Sequence, residues 1–283
     1  MRLVEKILAK VDHLPGVPAI VQQVLALLSD PDFSFQRVLE LVRLDPGITA
    51  DVLRVCNSPY FGLRHEITSL EQALTYLGAN QIVELVLSSK VVSLFRASQV
   101  GYRLSRGELW RHSMATALLA QRLGQRTGFQ DGPTLFTAAL LHDVGKLVLA
   151  EFVAEKFAEI ERLVRDQGFS FVDAERKVLG VDHALLGAAV ARKWNLPEPI
   201  AHAIAFHHNL GPATKYRALV RLVVLANLMV VNLGLGSGAQ GLAAPVPPGL
   251  LKELNMRPRD LEALSLELKD ILDQAEDLLA MAQ

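Results

Sequence analysis

The 283-residue sequence has one cysteine, Cys56, and few aromatics, which make up 6% of it. A single thiol excludes an internal disulfide framework and fits a reducing compartment. Beside Val52 and Val55 it reads as an inert buried group rather than a redox sensor. An excess of one charge sign is also missing. The formal net charge is −1 and the pI about 6.7, so no global basic field argues for nucleic acid. The modest basic clusters Arg103/Arg106/Arg111 and Lys215/Arg217/Arg221 read as solvated helix ends.

Long hydrophobic runs are absent too, although mean hydropathy is positive at +0.26. Leu222 to Leu251 carries no charged residue, but its apolar part ends near Leu235 and contains Asn227 and Asn232. A membrane-spanning helix needs roughly 20 apolar residues, so this stretch reads as a core helix followed by a loop. The first turns carry Glu5, Lys6 and Lys10 with no uninterrupted apolar segment. No signal peptide is expected there, and the cytoplasm is the expected compartment. Period-two alternation over five or more residues is lacking, which predicts no sheet.

What remains is aliphatic and helical. Apolar residues make up 51%, and most segments repeat them at helical spacing. Ile20, Val24, Leu27 and Leu28 form one stripe, and Val38, Leu41 and Val42 the next, stopped or kinked at Asp45-Pro46. Ile48, Val52, Leu53 and Val55 form a third, ending at the turn Asn57-Ser58-Pro59. Ser69 and Gln72 predict a capping box for Leu70–Leu77, which Gly78 terminates. Later helices are predicted from Glu108 to about Gln125, from Thr134 to Ala150, and over Val153–Gln167, Val172–Leu179, His183–Trp194, Glu198–His207 and Tyr216–Leu233. Four parts follow: an N-terminal helical part (1–105), a second helical subdomain (106–233), a Gly/Pro-rich connector (234–249) and an amphipathic tail (250–283) that folds back or pairs with a partner helix. The polar stretch Gln99–Gly107 is the internal boundary, and Pro245, Pro247 and Pro248 act as a semi-rigid spacer.

Five of the eight histidines stand in one ordered set with acidic residues. Glu108 and His112 are i and i+4 on a helix face. His142 and Asp143 are adjacent within the predicted Thr134–Ala150 helix, with Lys146 one turn on. His183 and the pair His207-His208 follow. Imidazole and carboxylate together suit Zn, Mn or Fe(II), and the set is large enough for a two-metal site that generates hydroxide. A lysine at position 146 could hold a phosphate as a point charge. Each histidine taken singly is more often a core or surface residue than a ligand; order and residue type together are what distinguish the set. His13, His65 and His202 fall outside it. Tyr60 and Phe61, in the turn after Asn57, read as plugs between helices, with a docking surface as the alternative.

The chain resembles the HDOD signalling domain of the HD superfamily of metal-dependent phosphohydrolases. The resemblance rests on Leu14-Pro15-Gly16-Val17-Pro18, Leu44-Asp45-Pro46-Gly47-Ile48-Thr49, Val55 to Gly62, Ile67 to Ala73, Leu141–Leu149, His183 to Gly187, Trp194-Asn195-Leu196-Pro197 and Ile204 to His208. It implies an all-α HDOD fold with an N-terminal helical subdomain packed on an HD-type helical subdomain, in a bacterial signalling setting. The ligand order is also similar to that of HD-GYP cyclic-di-GMP phosphodiesterases. That likeness implies Glu108, His112, His142, Asp143, His183, His207 and His208 as metal ligands, with Asn227 standing where the family has an aspartate. Asn227 offers a carbonyl oxygen but no charge. No Gly-Tyr-Pro follows His208, so the cyclic-dinucleotide recognition loop is absent.

Two functions stay open on this reading. One is a signalling or regulatory protein that acts through a protein partner or ligand, with a retained metal site and little or no turnover. The other is a metal-dependent phosphohydrolase acting on a nucleotide or cyclic dinucleotide, with Asp143 and Lys146 as its catalytic groups. Either takes one or two divalent ions, Fe, Mn, Zn or Ni. Neither calls for nucleic acid or membrane, and the tail leaves a homodimer open.

Overall fold

The computed structural model describes residues 3–14, 19–28, 34–57, 66–95, 97–235, 245–267 and 270. Among these the chain is all-α, and the one extended pairing is an isolated bridge between Gln99 and Leu104. The first half contains α1 (Leu3–His13), α2 (Ala19–Leu28), α3 (Phe35–Arg43), α4 (Pro46–Cys56), α5 (Leu70–Leu77) and α6 (Ala79–Phe95). Pro46 opens α4 rather than kinking a continuous helix: its missing N–H costs nothing at the first helical position, and Asp45 caps the end by accepting from Ile48 N (3.0 Å). Ser69 accepts from Gln72 N to cap α5, and Gln72 reaches back to Thr68 N. Gly78, with φ +78°, ends that helix. Helices α2 to α6 pack on one another, whereas α1 lies against the helices Lys146–Gln167 and His183–Lys193 of the second half. Lys193 fixes it there by donating to the Val11 carbonyl (2.6 Å), as does the Lys10–Glu151 pair.

A short 3-10 turn (Val100–Tyr102) leads into the second half. Its helices are α7 (Glu108–Thr127), α8 (Gly132–Leu141), α9 (Lys146–Gln167), α10 (Phe171–Leu179), α11 (His183–Lys193), α12 (Glu198–Phe206) and α13 (Arg217–Asn232). Helices α7, α8, α12 and α13 pack together, α9 packs on α10 and α11, α11 joins that group to the first through α12, and α6 joins the halves by packing on α7 and α8. The core is aliphatic and continuous across that junction.

The HD pair departs from expectation. The sequence predicts it inside a helix running from Thr134 to Ala150, but α8 stops at Leu141 and α9 begins at Lys146. Residues 142–145 form a tight turn of i→i+3 bonds, including Val144 N to Leu141 O and Lys146 N to Asp143 O. His142 and Gly145 keep right-handed helical dihedral angles, so periodicity alone does not register the break. Gly145 explains where the turn sits. A Cβ there would lie 1.9 Å from the His183 carbonyl oxygen and 2.6 Å from Gly187 N, so only glycine lets the turn rest on α11. The helix predicted separately at Val153–Gln167 is the continuation of α9.

The described part of the tail folds back. It comprises α14 (Leu250–Glu253) and a helical run at 258–267. Leu250, Leu254 and Leu264 are buried, Arg221 pairs with Glu253 (2.6 Å), and Arg126 pairs with Glu267. Pro15 to Pro18, the turn aromatics Tyr60 and Phe61, His65, most of the 234–249 connector and nearly all of 268–283 lie outside the described residues. Among those described, no helix is long and apolar enough to cross a membrane.

Candidate metal centre

Four parts of the fold deliver the centre. His112 comes from the second turn of α7, His142 and Asp143 from the turn between α8 and α9, and His183 from the first residue of α11. His207 and His208 follow the end of α12. Asp182 caps α11 by accepting from Leu185 N (2.8 Å) and is itself held by Arg176 (2.6 Å), which fixes the backbone on which His183 is mounted. His112, His142, Asp143, His183 and His207 are all buried. His208 is exposed at the edge. Two overlapping donor groups result, with ligand atoms mutually within 4.8 Å: His112, His142 and Asp143, and Asp143, His183, His207 and His208.

The rings are oriented from behind. His112 Nδ1–H donates to the Leu235 carbonyl (2.9 Å), His142 Nδ1–H to Ala139 (2.6 Å), and His207 Nδ1–H to Ile204 (2.7 Å). His183 Nδ1–H donates to Glu175 Oε2 (2.7 Å). Since carbonyl and carboxylate oxygens accept, the proton sits on Nδ1 of each ring and Nε2 is the nitrogen turned toward the centre, where His183 Nε2 also lies 2.9 Å from His208 Nε2. Those four Nε2 atoms converge on Asp143. His112 and His142 lie 3.5 and 3.3 Å from Oδ2, while His183 and His207 lie 3.4 and 3.6 Å from Oδ1.

The donor set fits a metal ion. His112 Nε2 faces His142 Nε2 at 3.2 Å, a pair of lone pairs with no hydrogen between them. Asp143 Oδ1 and His207 Nε2 are buried without a hydrogen-bond partner. Buried acceptors left unpaired are costly, and a cation among them satisfies all at once. Burial pushes His112 down to about 3 and His207 to about 4, so both rings are neutral donors at physiological pH. Burial alone would raise the Asp143 carboxyl, but the Lys146 ammonium and the His142 ring outweigh it and hold it well below the usual range. Lys146 Nζ donates to Asp143 Oδ2 at 2.6 Å and sits 5.4 Å from the centre of the Tyr102 ring.

Glu108 does not join this group. Its carboxylate turns back to accept from Ser105 N (2.6 Å), closing the start of α7. The i, i+4 relation to His112 is real, but at a first turn the orphan N–H groups compete for the side chain. Asn227, on α13, is buried with Oδ1 unpaired and lies beside His208 in a cavity wall. His202 stacks instead near Phe206 and Tyr216.

Sequence reasoning passed over two residues. Glu175 accepts from His183 Nδ1 and from His183 N (3.0 Å), and Tyr102 OH donates to its other oxygen (2.6 Å). The signal for Glu175 is its place on an apolar stripe with Phe171, Ala174 and Val178. A carboxylate at such a position needs a partner.

The chain belongs to the HDOD domain family, whose pattern matches residues 14–210. It is 26% identical over 231 residues to an uncharacterized protein of Treponema pallidum, covering 81% of this chain and 44% of that protein. It is 28% identical over 163 residues to ribonuclease Y of Salinispora arenicola, covering 56% of this chain and 22% of that enzyme. The chain thus spans less than half the length of these curated relatives. Among solved structures, an HDOD domain protein of unknown function from Geobacter sulfurreducens aligns with a TM-score of 0.76 at 28% identity, over 98% of this chain and 97% of that one.

Proposed function

We propose that this HDOD protein acts in signalling, its HD-like half (106–233) keeping a metal-binding centre that senses a ligand or a partner protein rather than sustaining turnover. The charge at the centre carries this reading. Asp143 is the one carboxylate among the grouped residues, and Lys146 already sits on it. A single negative charge, offset by a buried ammonium, compensates two dications poorly. Asn227, whether or not it coordinates, brings none. One ion is favoured over two, held by imidazoles with Asp143, and Zn, Fe, Mn or Ni suits that donor set. Such an ion supplies Lewis-acid polarisation of a bound oxygen. The chain's own residues fix the rings through Nδ1 and keep Lys146 on Asp143, where the ammonium is not free to meet a phosphate.

A second reading is a metal-dependent phosphohydrolase acting on a nucleotide or cyclic dinucleotide. It is favoured by the placement of Asp143, with Oδ1 toward His183 and His207 and Oδ2 toward His112 and His142, as a carboxylate bridging two ions would stand. The likeness to ribonuclease Y points the same way. In that reading Asp143 and Lys146 are the catalytic groups.

Metal analysis of the purified chain, paired with hydrolysis of bis(p-nitrophenyl) phosphate, separates the two. The signalling reading expects about one equivalent of metal and no turnover above background. Two equivalents, with hydrolysis lost in both Asp143→Ala and His142→Ala, would replace it with the second.

A further inference from the structure

Of the rings oriented through Nδ1, three find their acceptor close by in the chain. His142 donates to Ala139 and His207 to Ile204, each 3 residues away, and His183 to Glu175, 8 away. His112 differs. Its acceptor, the Leu235 carbonyl, lies 123 residues away, just past the end of α13.

That carbonyl is delivered by the way α13 stops. Gly234 takes φ +78°. Gly234 N donates to Val231 O (2.9 Å) and Leu235 N to Val230 O (3.3 Å), the paired bonds of a Schellman cap. Leu235 then packs, half-buried, against the core with its carbonyl on His112. A Cβ at position 234 would meet nothing within 4 Å, so glycine serves there for its dihedral angle and not for space. Gly128 ends α7 with the same device: φ +74°, open surroundings, and bonds from Gly128 N to Gln125 O and from Phe129 N to Gly124 O. That cap stands at the other end of α7 from His112 and holds no ligand.

Without Leu235 the Nδ1–H of His112 is a buried donor with no acceptor, which is costly. The ring gains by carrying its proton on Nε2 instead, where His142 Nε2 (3.2 Å) and Asp143 Oδ2 (3.5 Å) stand as acceptors. The nitrogen that a metal needs is then protonated.

We propose that the Gly234-Leu235 cap is a positioning element of the metal centre: it selects the tautomer of His112 and so sets metal affinity. The proposal deepens the signalling reading, and rests on it for its biological use, by naming where the centre is open to regulation. Displacing the end of α13 alters one ligand and leaves His142, His183 and His207 on their own partners.

The test compares the full chain with Gly234→Pro, Gly234→Asn and Gly128→Pro. Proline fixes φ at about −65° and opens the cap, whereas asparagine tolerates positive φ. Side-chain nitrogen NMR of the EDTA-treated chains reads each histidine's tautomer, and competition with a chromophoric chelator reads zinc affinity. In the wild type, His112 should carry its proton on Nδ1. Gly234→Pro should move that proton toward Nε2, leave His142 and His207 unchanged, and weaken zinc about tenfold. Gly234→Asn should match the wild type in both readouts. So should Gly128→Pro, although it lowers the melting temperature. Gly234→Val, which disfavours positive φ but keeps the N–H, serves if the proline variant does not fold. A folded Gly234→Pro chain with the wild-type tautomer and zinc affinity would overturn the proposal. An equal loss of zinc affinity in Gly128→Pro would also overturn it, by assigning the effect to general loosening. If the wild type binds no zinc, the metal reading falls, and the His112 tautomer in the metal-free chains alone decides the role of the cap.

Discussion

His183 Nδ1 lies 2.7 Å from Glu175 Oε2, and both side chains are fully inaccessible to solvent. The pair fixes which nitrogen of His183 faces Asp143. Glu175→Gln keeps an acceptor of the same size but loses the charge that strengthens the ring as a donor. Removing such a supporting carboxylate typically costs 10–100-fold in metal affinity. We expect a loss of that size in competition titration against a chromophoric chelator. Tyr102→Phe, which removes only the O–H on the far oxygen of Glu175, should cost less. Equal affinity in wild type and Glu175→Gln would detach Glu175 from the centre.

Asp143 and Lys146 form a buried pair at 2.6 Å, with side chains 1% and 2% exposed. Breaking one side leaves the other charge stranded, typically at a cost of 3–5 kcal/mol. Asp143→Ala should therefore destabilise the metal-free chain by about 3 kcal/mol in urea unfolding. The double variant Asp143→Ala/Lys146→Met should recover much of that loss, since neither charge of the pair remains to be stranded. If the double variant is as unstable as the single one, the loss comes from packing and not from the ammonium.

Gly145 sets the seat of the HD turn. A methyl group added there meets the His183 carbonyl and Gly187 N, backbone atoms that cannot swing aside. Gly145→Ala should destabilise the fold by at least the 1–3 kcal/mol usual for overpacking. It should also weaken metal binding, because the turn carries His142 and Asp143 while α11 carries His183. A thermal melt and a metal titration on one preparation check both. A variant that melts lower but binds metal normally would show that the turn tolerates displacement from α11.

These three positions also show what the sequence makes legible. The helices follow from stripes and caps: Ser69, Gly78 and Asp45 mark ends that the structure keeps. The order of histidines and Asp143 is readable as a set, and the fold brings His112, His142, Asp143, His183, His207 and His208 together. The break between α8 and α9 is not readable, because its cause is a contact between Gly145 and α11, far along the chain. Glu108 is misplaced by the same kind of reasoning. Helical spacing gives its face, but the demand of a free backbone N–H at Ser105 decides where its carboxylate goes. Glu175 and Tyr102 act only through partners 8 and 73 residues away, respectively.

Glu84 offers a test away from the centre, where α6 joins the halves. Its carboxyl is 1% exposed, accepts from Gln121 Nε2 (2.6 Å) through one oxygen, and leaves the other unpaired. Burial pushes it up to about 7, from an ordinary value of 4.5, against the smaller opposing effect of the Gln121 hydrogen bond. The folded chain then holds a proton that the unfolded chain releases between pH 4.5 and 7. Where the folded state binds more protons, stability falls as pH rises. The contribution of Glu84 is therefore fully present below pH 4.5 and is lost as pH climbs through 7, to a total of about 3 kcal/mol. His112 and His207, depressed in the folded state, act in the opposite direction at lower pH, so the wild-type profile alone mixes these effects. Glu84→Gln isolates the carboxyl: it keeps the acceptor for Gln121 and cannot ionise. The difference in unfolding free energy, variant minus wild type, should be smallest near pH 5 and grow in favour of the variant up to pH 8. A difference that stays flat across that range would mean that Glu84 keeps its charge in the folded chain with a partner at its free oxygen.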